Sequence, residues 1–320
     1  MGDSTQKEGI VPVVSAIDWS YVPVYSVFLA SFLDHASPDR RYELILLTDN
    51  VPQAAITALR VQAHRYANVS LRTIDMSNYA VPDFSVHGKY TKATFFRLMI
   101  PELLPEYGRV IYLDSDIVVL SDVAELFDAY STGLAAAVLD FEMQGMLRDR
   151  TFCMSSSLTW TGREYLEKYC GMTTDQMLRY FNAGVLVLNL KEIRKYKKTQ
   201  DCLELLNSKV FVHVDQDILN IAFAGQVQIF PYGWNFVANP NQEIVFTPDL
   251  LAEREEAASH IKLLHFAGLQ PWREAKDLSY EEFFWFYARK SMYYEILREQ
   301  EHKIQNIEQE DMEKEHYKII

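Results

Sequence analysis

Ile111-Tyr112-Leu113-Asp114-Ser115-Asp116-Ile117-Val118-Val119 opens as a strand and then presents two carboxylates. The run from Arg109 to Leu113 is apolar and β-favouring, as expected of a strand covered on both faces. Two unpaired charges at its end would be costly to bury. Residues i and i+2 of a strand point to one side, so a chain that stays extended sends Asp114 and Asp116 into one crevice. Neighbouring carboxylates repel, and a hard divalent cation with oxygen ligands relieves the repulsion. In an open α/β sheet, ligands sit at the carboxyl ends of the strands. The plainer reading is a solvated turn, with Asp116 or Asp122 capping the next helix.

The flanking sequence supplies the context. Residues 10–16 read as a first strand and Asp18-Trp19-Ser20-Tyr21 as a loop. Pro23 suits the first turn of a helix, whose Val24, Val27, Phe28, Ser31 and Phe32 share a face. Strands are expected at 42–47 and 69–74, with a helix over 54–66 between them. Residues 92–99 read as a helix stopped by Pro101. Beyond the Asp114 strand come a short helix at 122–127, a strand at 134–139 and a strand after Phe181-Asn182-Ala183-Gly184. Helices over 191–206 and 218–224 follow, then strands at 227–230 and 261–264. Strands alternating with helices argue for a mainly parallel sheet with crossover helices. Residues 141–172 fit no element, and so irregular a stretch is often a binding loop or lid. Ser279-Tyr280-Glu281-Glu282 reads as a capping box, opening an aromatic amphipathic helix over 283–297 and a charged tail.

The 320 residues are 49% hydrophobic and 23% charged, an ordinary globular composition. A net charge of −13 argues against a nucleic-acid partner and a broad basic membrane patch. Cys153, Cys170 and Cys202 form neither a CxxC pair nor a metal spacing, which fits reduced thiols in a cytosolic protein. The polar residues 1–9 carry no secretory signal. The longest uncharged apolar stretch, 19–33, is interrupted by Pro23 and is shorter than the ~20 residues of a membrane span. A cytoplasmic location is expected. Peripheral contact with the inner face of a membrane could come through the aromatic helix, although docking on the core is the favoured reading of it.

Asp18, Asp114, Asp116, Asn182, Asp215, Gln216 and His265 all interrupt apolar strand ends at the same edge of this sheet. Each alone could be a turn former, a cap or a core histidine. Their joint placement at strand ends is what those explanations leave out. Five blocks follow one another along the chain. Thr94-Phe95-Phe96-Arg97-Leu98 precedes Tyr112-Leu113-Asp114-Ser115-Asp116. Phe181-Asn182-Ala183-Gly184-Val185 comes next, then Asp215-Gln216-Asp217-Ile218-Leu219-Asn220, and His265-Phe266-Ala267-Gly268 with Pro271-Trp272 closes the set. In these blocks the chain resembles glycosyltransferase family 8, the retaining enzymes that include bacterial lipopolysaccharide glucosyl- and galactosyltransferases and glycogenin.

The resemblance implies an α/β fold, the GT-A nucleotide-diphospho-sugar transferase fold. Its mainly parallel central sheet is flanked by helices and followed by a C-terminal helical tail. The transferase domain would span 1–272, and the aromatic helix and charged tail 273–320. By matching position, Asp114, Asp116 and His265 would hold Mn²⁺ or Mg²⁺. A set of two carboxylates and one imidazole suits Mn²⁺ better. Ala16, Asp18 and Tyr21 would contact the nucleoside, and Arg97, Asn182, Asp215 and Gln216 would surround the donor sugar. Ser115, Ala183, Gly268 and Gln270 join the donor-binding set. Two departures stand out. Asp18-Trp19-Ser20-Tyr21 replaces the family's frequent Asp-Asp-Asn-Tyr. Gln270 stands where a lysine commonly precedes Pro-Trp and meets the donor diphosphate, with Arg273 and Lys276 close enough in sequence to compensate.

The implied activity is metal-dependent transfer of glucose or galactose from UDP-glucose or UDP-galactose, with retention. The acceptor would be a saccharide or a lipid-linked saccharide in lipopolysaccharide or other surface-glycan synthesis. Gln216 would support the oxocarbenium-like sugar through its carbonyl, Asn182 would contact a sugar hydroxyl, and Asp215 is the alternative covalent nucleophile. An ion pair between Arg97 and Asp215 is compatible with these roles. A nucleotidyltransferase would want a glycine-rich basic loop after the first strand, which 15–23 lacks. A haloacid-dehalogenase-like phosphatase would want threonine where Val118 stands. A sugar-nucleotide-binding protein without turnover is the non-enzyme alternative. The oligomeric state is not legible in the sequence.

Overall fold

The computed structural model describes residues 9–80, 91–149, 153–155, 158–273 and 278–301. Its strands, in chain order, are β1 (Ile10–Asp18), β2 (Arg41–Asp49), β3 (Val69–Asp75), β4 (Val110–Leu113), β5 (Ile117–Val119) and β6 (Ala135–Leu139). They continue as β7 (Cys153–Ser155), β8 (Leu158–Thr161), β9 (Phe181–Leu188), β10 (Val227–Phe230), β11 (Phe236–Val237) and β12 (Leu263–His265). Seven of them form one sheet in the order β10-β6-β9-β4-β1-β2-β3. Every pairing in it is parallel except those of β9, which runs antiparallel to β4 and β6. Both faces are covered, which is why these strands read as continuous apolar runs. Val14, Ile45, Tyr112 and Leu186 pack on one face with the helices Leu190–Lys195, Lys198–Ser208 and Val214–Ala222. Val13, Leu44, Ile111 and Val187 pack on the other with the helices Val22–His35 and Gln53–Ala63.

A second, three-stranded sheet has the order β11-β12-β5. Val118, Leu264, Phe266 and Trp272 build a third apolar cluster on it, with Val24, Val27 and Ala30 from the first helix. The aromatic helix Glu281–Ala288 closes this cluster with Phe284, Tyr287 and Ala288, and the rings of Trp272 and Phe284 stack with centroids 4.8 Å apart. Fully burying a side chain such as Phe284 contributes about 1.5–3 kcal/mol, so this helix is docked on the core, leaving Phe286 facing outward at 49% exposure.

Several boundaries differ from the sequence-based expectation. Pro101 does not stop a helix. Residues Lys92–Met99 form a 3₁₀ stretch that passes into the helix Ile100–Leu103, where Pro101 occupies the first turn and needs no N–H. The helix expected over 191–206 is two, broken at Lys197, whose φ of 53° is left-handed. The capping box at Ser279 does not form. Tyr280 is the N-cap without a side-chain bond, because Ser279 is held through its backbone by Asn239. The aromatic helix ends at Ala288, and helix resumes only at 294–301; between them Gln62 accepts the amide of Met292. Residues 141–172 contain the helix Phe141–Arg148, the β7–β8 hairpin and a wide turn at Tyr165–Tyr169. Each piece is too short to show a period. Met143, Met146, Tyr165 and Leu166 are buried, so much of this segment is packed core rather than a loop.

Cys170 and Cys202 are free and buried. Residues 1–8, Lys276, the tail beyond 301 and the side chain of Cys153 lie outside the described residues. Among the described residues no helix is long and apolar enough to cross a membrane.

Candidate active site

The chain passes from the large sheet to the small one at Asp114-Ser115-Asp116. The Asp114 amide donates to the Gly184 carbonyl (2.8 Å), the last link to β9, and the Phe266 amide donates to the Asp116 carbonyl (3.0 Å), the first link to β12. Residues 115–116 are therefore a turn, and the expectation of one continuous extended strand is not met. The two carboxylates meet because the pairing partner changes between them. The antiparallel register of β12 and β5 sets His265 opposite Ile117 and so brings the imidazole to the same point. One ligand atom from each of Asp114, Asp116 and His265 lies within 4.8 Å of the others. They line a cleft of about 690 Å³ at the carboxyl end of the central strands.

Each of the three is aimed. Asp114 Oδ1 accepts from Tyr112 Oη and Arg97 Nη2, both at 2.9 Å. Its Oδ2 is 3.8 Å from His265 Nε2, and Asp116 Oδ1 is 3.2 Å from the same nitrogen. Burial disfavours charge on His265, but Asp116 and Asp114 outweigh it and hold the imidazole above its ordinary 6.5. Gly184 gives the cluster its room. A Cβ there would lie 2.4 Å from His265 Cε1 and 2.8 Å from Asp114 Oδ2. Two hard carboxylate oxygens and an imidazole nitrogen this close together are a donor set that fits a divalent cation.

The second group surrounds the first residues of β9. Arg97 is buried, with its guanidinium 4.4 Å from the centroid of the Tyr112 ring. It pairs with Asp114 (2.9 Å) and Asp215 (2.8 Å), and donates to the Ala183 carbonyl at 2.5 Å. The ion pair with Asp215 that the sequence allowed is thus present. Asp215 does not cap its helix. The N-cap is His213, whose amide is taken by the Asp217 carboxylate at 2.9 Å. Val214, the residue before Asp215, has a φ of 40°, a left-handed conformation that is rare for a β-branched residue. Gln216 accepts the Ala183 amide at 3.0 Å and donates to Asp140 Oδ2 at 3.1 Å. Asn182 donates to the same Asp140 oxygen at 2.9 Å and accepts from Gly184 N–H (2.9 Å) and Asn235 Nδ2 (2.8 Å).

Ala16, Asp18, Tyr21, Ser115, Gly268 and Gln270 also line the cleft. Asp18 behaves as the plain reading had it, capping the turn Trp19–Tyr21 by accepting from Ser20 and Tyr21 amides, while still lining the cleft. Burial first, and then Asp116, push the Tyr21 phenol up to about 12, so it stays protonated. Gln270 lines the cleft and gives one of the two hydrogens on its Nε2 to Tyr21 Oη, at 3.3 Å. Its Oε1 is buried and meets no partner among the described residues. Arg273 lies over the Tyr21 ring, 5.4 Å from its centroid.

The residues named for metal, nucleoside and donor sugar all line one cleft. Two were missed. Asp140 follows the end of β6 as Asp114 follows β4, a parallel that was legible. Asn235 sits in a short 3₁₀ turn, Tyr232–Asn235, that no periodicity marks.

Known proteins agree with this architecture. The chain is 24% identical to General stress protein A of Bacillus subtilis (strain 168), over 88% of its own length and 94% of that protein's. It is 27% identical to a lipopolysaccharide 1,2-glucosyltransferase of Escherichia coli (strain K12), over 58% of this chain and 50% of that one, so it matches about half of that enzyme. Among solved structures, the WbbM bifunctional glycosyltransferase in its apo form superposes with a TM-score of 0.80 at 25% identity, covering 92% of this chain and 52% of the other. The galactosyltransferase LgtC, in complex with donor and acceptor sugar analogs, superposes at 0.65 and 23% identity, covering 88% of this chain and 96% of that one. That likeness is one of fold, the GT-A fold. The family model Glycosyl transferase family 8 matches residues 12–276, nearly the whole described chain, and the protein belongs to that family.

Proposed function

We propose that the chain transfers a hexose, glucose or galactose, from a UDP-sugar to a saccharide acceptor with retention at the anomeric carbon. The observation that carries this reading is the convergence of Asp114, Asp116 and His265 at one point of a cleft that also holds Arg97, Asn182, Asp215 and Gln216. Asp114, Asp116 and His265 would hold Mn²⁺, or Mg²⁺. When bound, the cation supplies Lewis-acid neutralisation of charge on the departing nucleoside diphosphate.

The protein's own groups do the rest. Ala16, Asp18 and Tyr21 receive the nucleoside, with Ser115, Ala183, Gly268 and Gln270 completing the donor-binding set. Asp215 is held by Arg97 and only 3% exposed, which suits a fixed partner for a donor-sugar hydroxyl better than a covalent nucleophile. A carbonyl oxygen has two lone pairs. Gln216 Oε1 spends one on Ala183 N–H, and the other is available to positive charge developing on the sugar. The front-face route follows, in which the acceptor hydroxyl gives its proton to the leaving phosphate oxygen. Asn182 orients the donor sugar through the groups it holds. The acceptor class is a saccharide, free or lipid-linked, of the kind found in lipopolysaccharide or other surface glycans.

The test is release of UDP from a panel of UDP-sugars with Mn²⁺, Mg²⁺ or chelator. UDP-glucose or UDP-galactose should be cleaved only with metal, and Asp116→Asn should abolish the metal dependence while keeping the fold. Unchanged Mn²⁺ dependence in a folded Asp116→Asn would place the metal elsewhere.

A further inference from the structure

Asn235 lies outside the lining of the cleft and is 3% exposed. Its side chain nevertheless bridges the two halves of the site. Oδ1 meets His265 Nδ1 at 2.8 Å, and Nδ2 donates to Asn182 Oδ1 at 2.8 Å. The polarity of this chain is fixed from its far end. Asp140 Oδ2 is a carboxylate oxygen and can only accept, so Asn182 presents its NH₂ to it, at 2.9 Å. That leaves Asn182 Oδ1 to accept, and it takes Gly184 N–H as well as Asn235. Asn235 must then turn its NH₂ toward Asn182 and its carbonyl toward His265. The imidazole answers with a proton on Nδ1. Its Nε2, facing Asp114 and Asp116, is left with the lone pair when the ring is neutral.

We infer that Asn235 is a positioning residue that transmits the polarity of Asp140 through Asn182 to His265, fixing the Nδ1–H tautomer and so preparing Nε2 to ligate a cation. The same relay ties the metal end of the cleft to Gln216, which donates to the same Asp140 oxygen at 3.1 Å. A histidine ligand whose other nitrogen is left unsupported typically loses about 10–100-fold in metal affinity. The inference rests on the metal reading above, but the tautomer can be read without metal.

Two measurements decide it. The first is ¹⁵N NMR of histidine-labelled, metal-free protein at a pH where His265 is neutral, with the resonance assigned by His265→Gln. The wild type should show the Nδ1–H tautomer, and Asn235→Ala should shift it toward Nε2–H or a mixture. The second is calorimetric titration with Mn²⁺. Asn235→Ala should bind about 10-fold more weakly or worse. Asn235→Asp keeps an acceptor for Nδ1–H but sets its second oxygen against the Asn182 Oδ1 acceptor, so it should retain the Nδ1–H tautomer and lose less than about 10-fold in Mn²⁺ affinity. An Nε2–H tautomer in the wild type would overturn the inference. So would an Asn235→Ala protein of unchanged melting temperature that binds Mn²⁺ like wild type. If Asn235→Ala does not fold, the wild-type tautomer and the Asn235→Asp titration still decide. A wild type that shows the Nδ1–H tautomer and binds no Mn²⁺ would instead sink the metal reading and leave the relay standing.

Discussion

Gly184→Ala puts one methyl group into the centre of the site. The added Cβ would stand 2.4 Å from His265 Cε1, 2.8 Å from Asp114 Oδ2 and 3.0 Å from Asn182 Oδ1. Carbon atoms settle at about 3.5–4.0 Å, so the imidazole alone would have to retreat by about 1 Å. None of the three neighbours is a loose side-chain end. His265 is held by Asn235, Asp114 by Arg97 and Tyr112, and Asn182 by Asp140. Overpacking of this sort costs about 1–3 kcal/mol. At roughly 2 °C per kcal/mol for a chain of this size, the melting temperature should fall by about 2–6 °C. The proposed metal cluster should suffer more than the fold, because His265 and Asp114, two of the three displaced groups, are among its proposed ligands. Mn²⁺ affinity should drop at least about tenfold, equivalent to about 1.4 kcal/mol. Calorimetric titration with Mn²⁺ and thermal melting of the metal-free protein measure the two effects separately. A Gly184→Ala protein that melts within about 1 °C of wild type and binds Mn²⁺ equally well would refute the reasoning.

Arg97→Ala should destabilise the fold by about 3–5 kcal/mol in chemical denaturation, since it leaves the buried Asp215 carboxylate without its cation; a loss below about 1 kcal/mol would mean that the pair contributes little. Gln270→Lys should tighten UDP binding in Mn²⁺ by roughly tenfold, with the gain shrinking as salt rises. It gives up only one 3.3 Å bond to Tyr21, and calorimetry showing no gain would deny the diphosphate an approach to this position. Burial, against the opposing pull of Arg97, raises the Asp215 carboxyl from its ordinary 3.8 to about 7. Its stabilising contribution is therefore complete below about pH 4 and is lost as pH rises through about 7. Thermal melts at pH 5 and pH 8 should show a fall in wild type that Asp215→Asn lacks, and equal falls in both would assign the dependence to another group.

What could be read in advance was whatever depends on short-range pattern. The apolar runs of β1, β2 and β9 declared strands, the run before Asp114 declared one covered on both faces, and all four are buried along most of their length. The polar residues at strand ends declared a cleft, and Asp18, Asp114 and Asn182 line it. The chain's passage between sheets at Ser115 was hidden, because β5 has three residues and its partner β12 lies far along the sequence. Periodicity cannot show a pairing that only the third dimension supplies. The same limit concealed Asn235, whose role arises from contacts to residues 30 and 53 positions away. Gln270 illustrates a different limit. Its position was legible, but the direction of its amide was set by the Tyr21 hydroxyl, a neighbour 249 residues earlier in the chain.

The switch of sheets at Asp114-Ser115-Asp116 also makes the site a joint. The backbone of Asp114 is bonded into the large sheet through Gly184, while His265 belongs to β12 of the small one. Any occupant that draws these two side chains together acts as a rivet, delivering its binding energy to the seam. Such stabilisation grows with the logarithm of ligand concentration, and here it should appear locally, as slowed amide exchange at Leu264 and Phe266 with little change along β2 and β3. A lesion that loosens the seam would then be silent while donor and metal are plentiful and would be felt when they run short. The tolerance of this protein to mutation would then follow the supply of whatever fills the cleft.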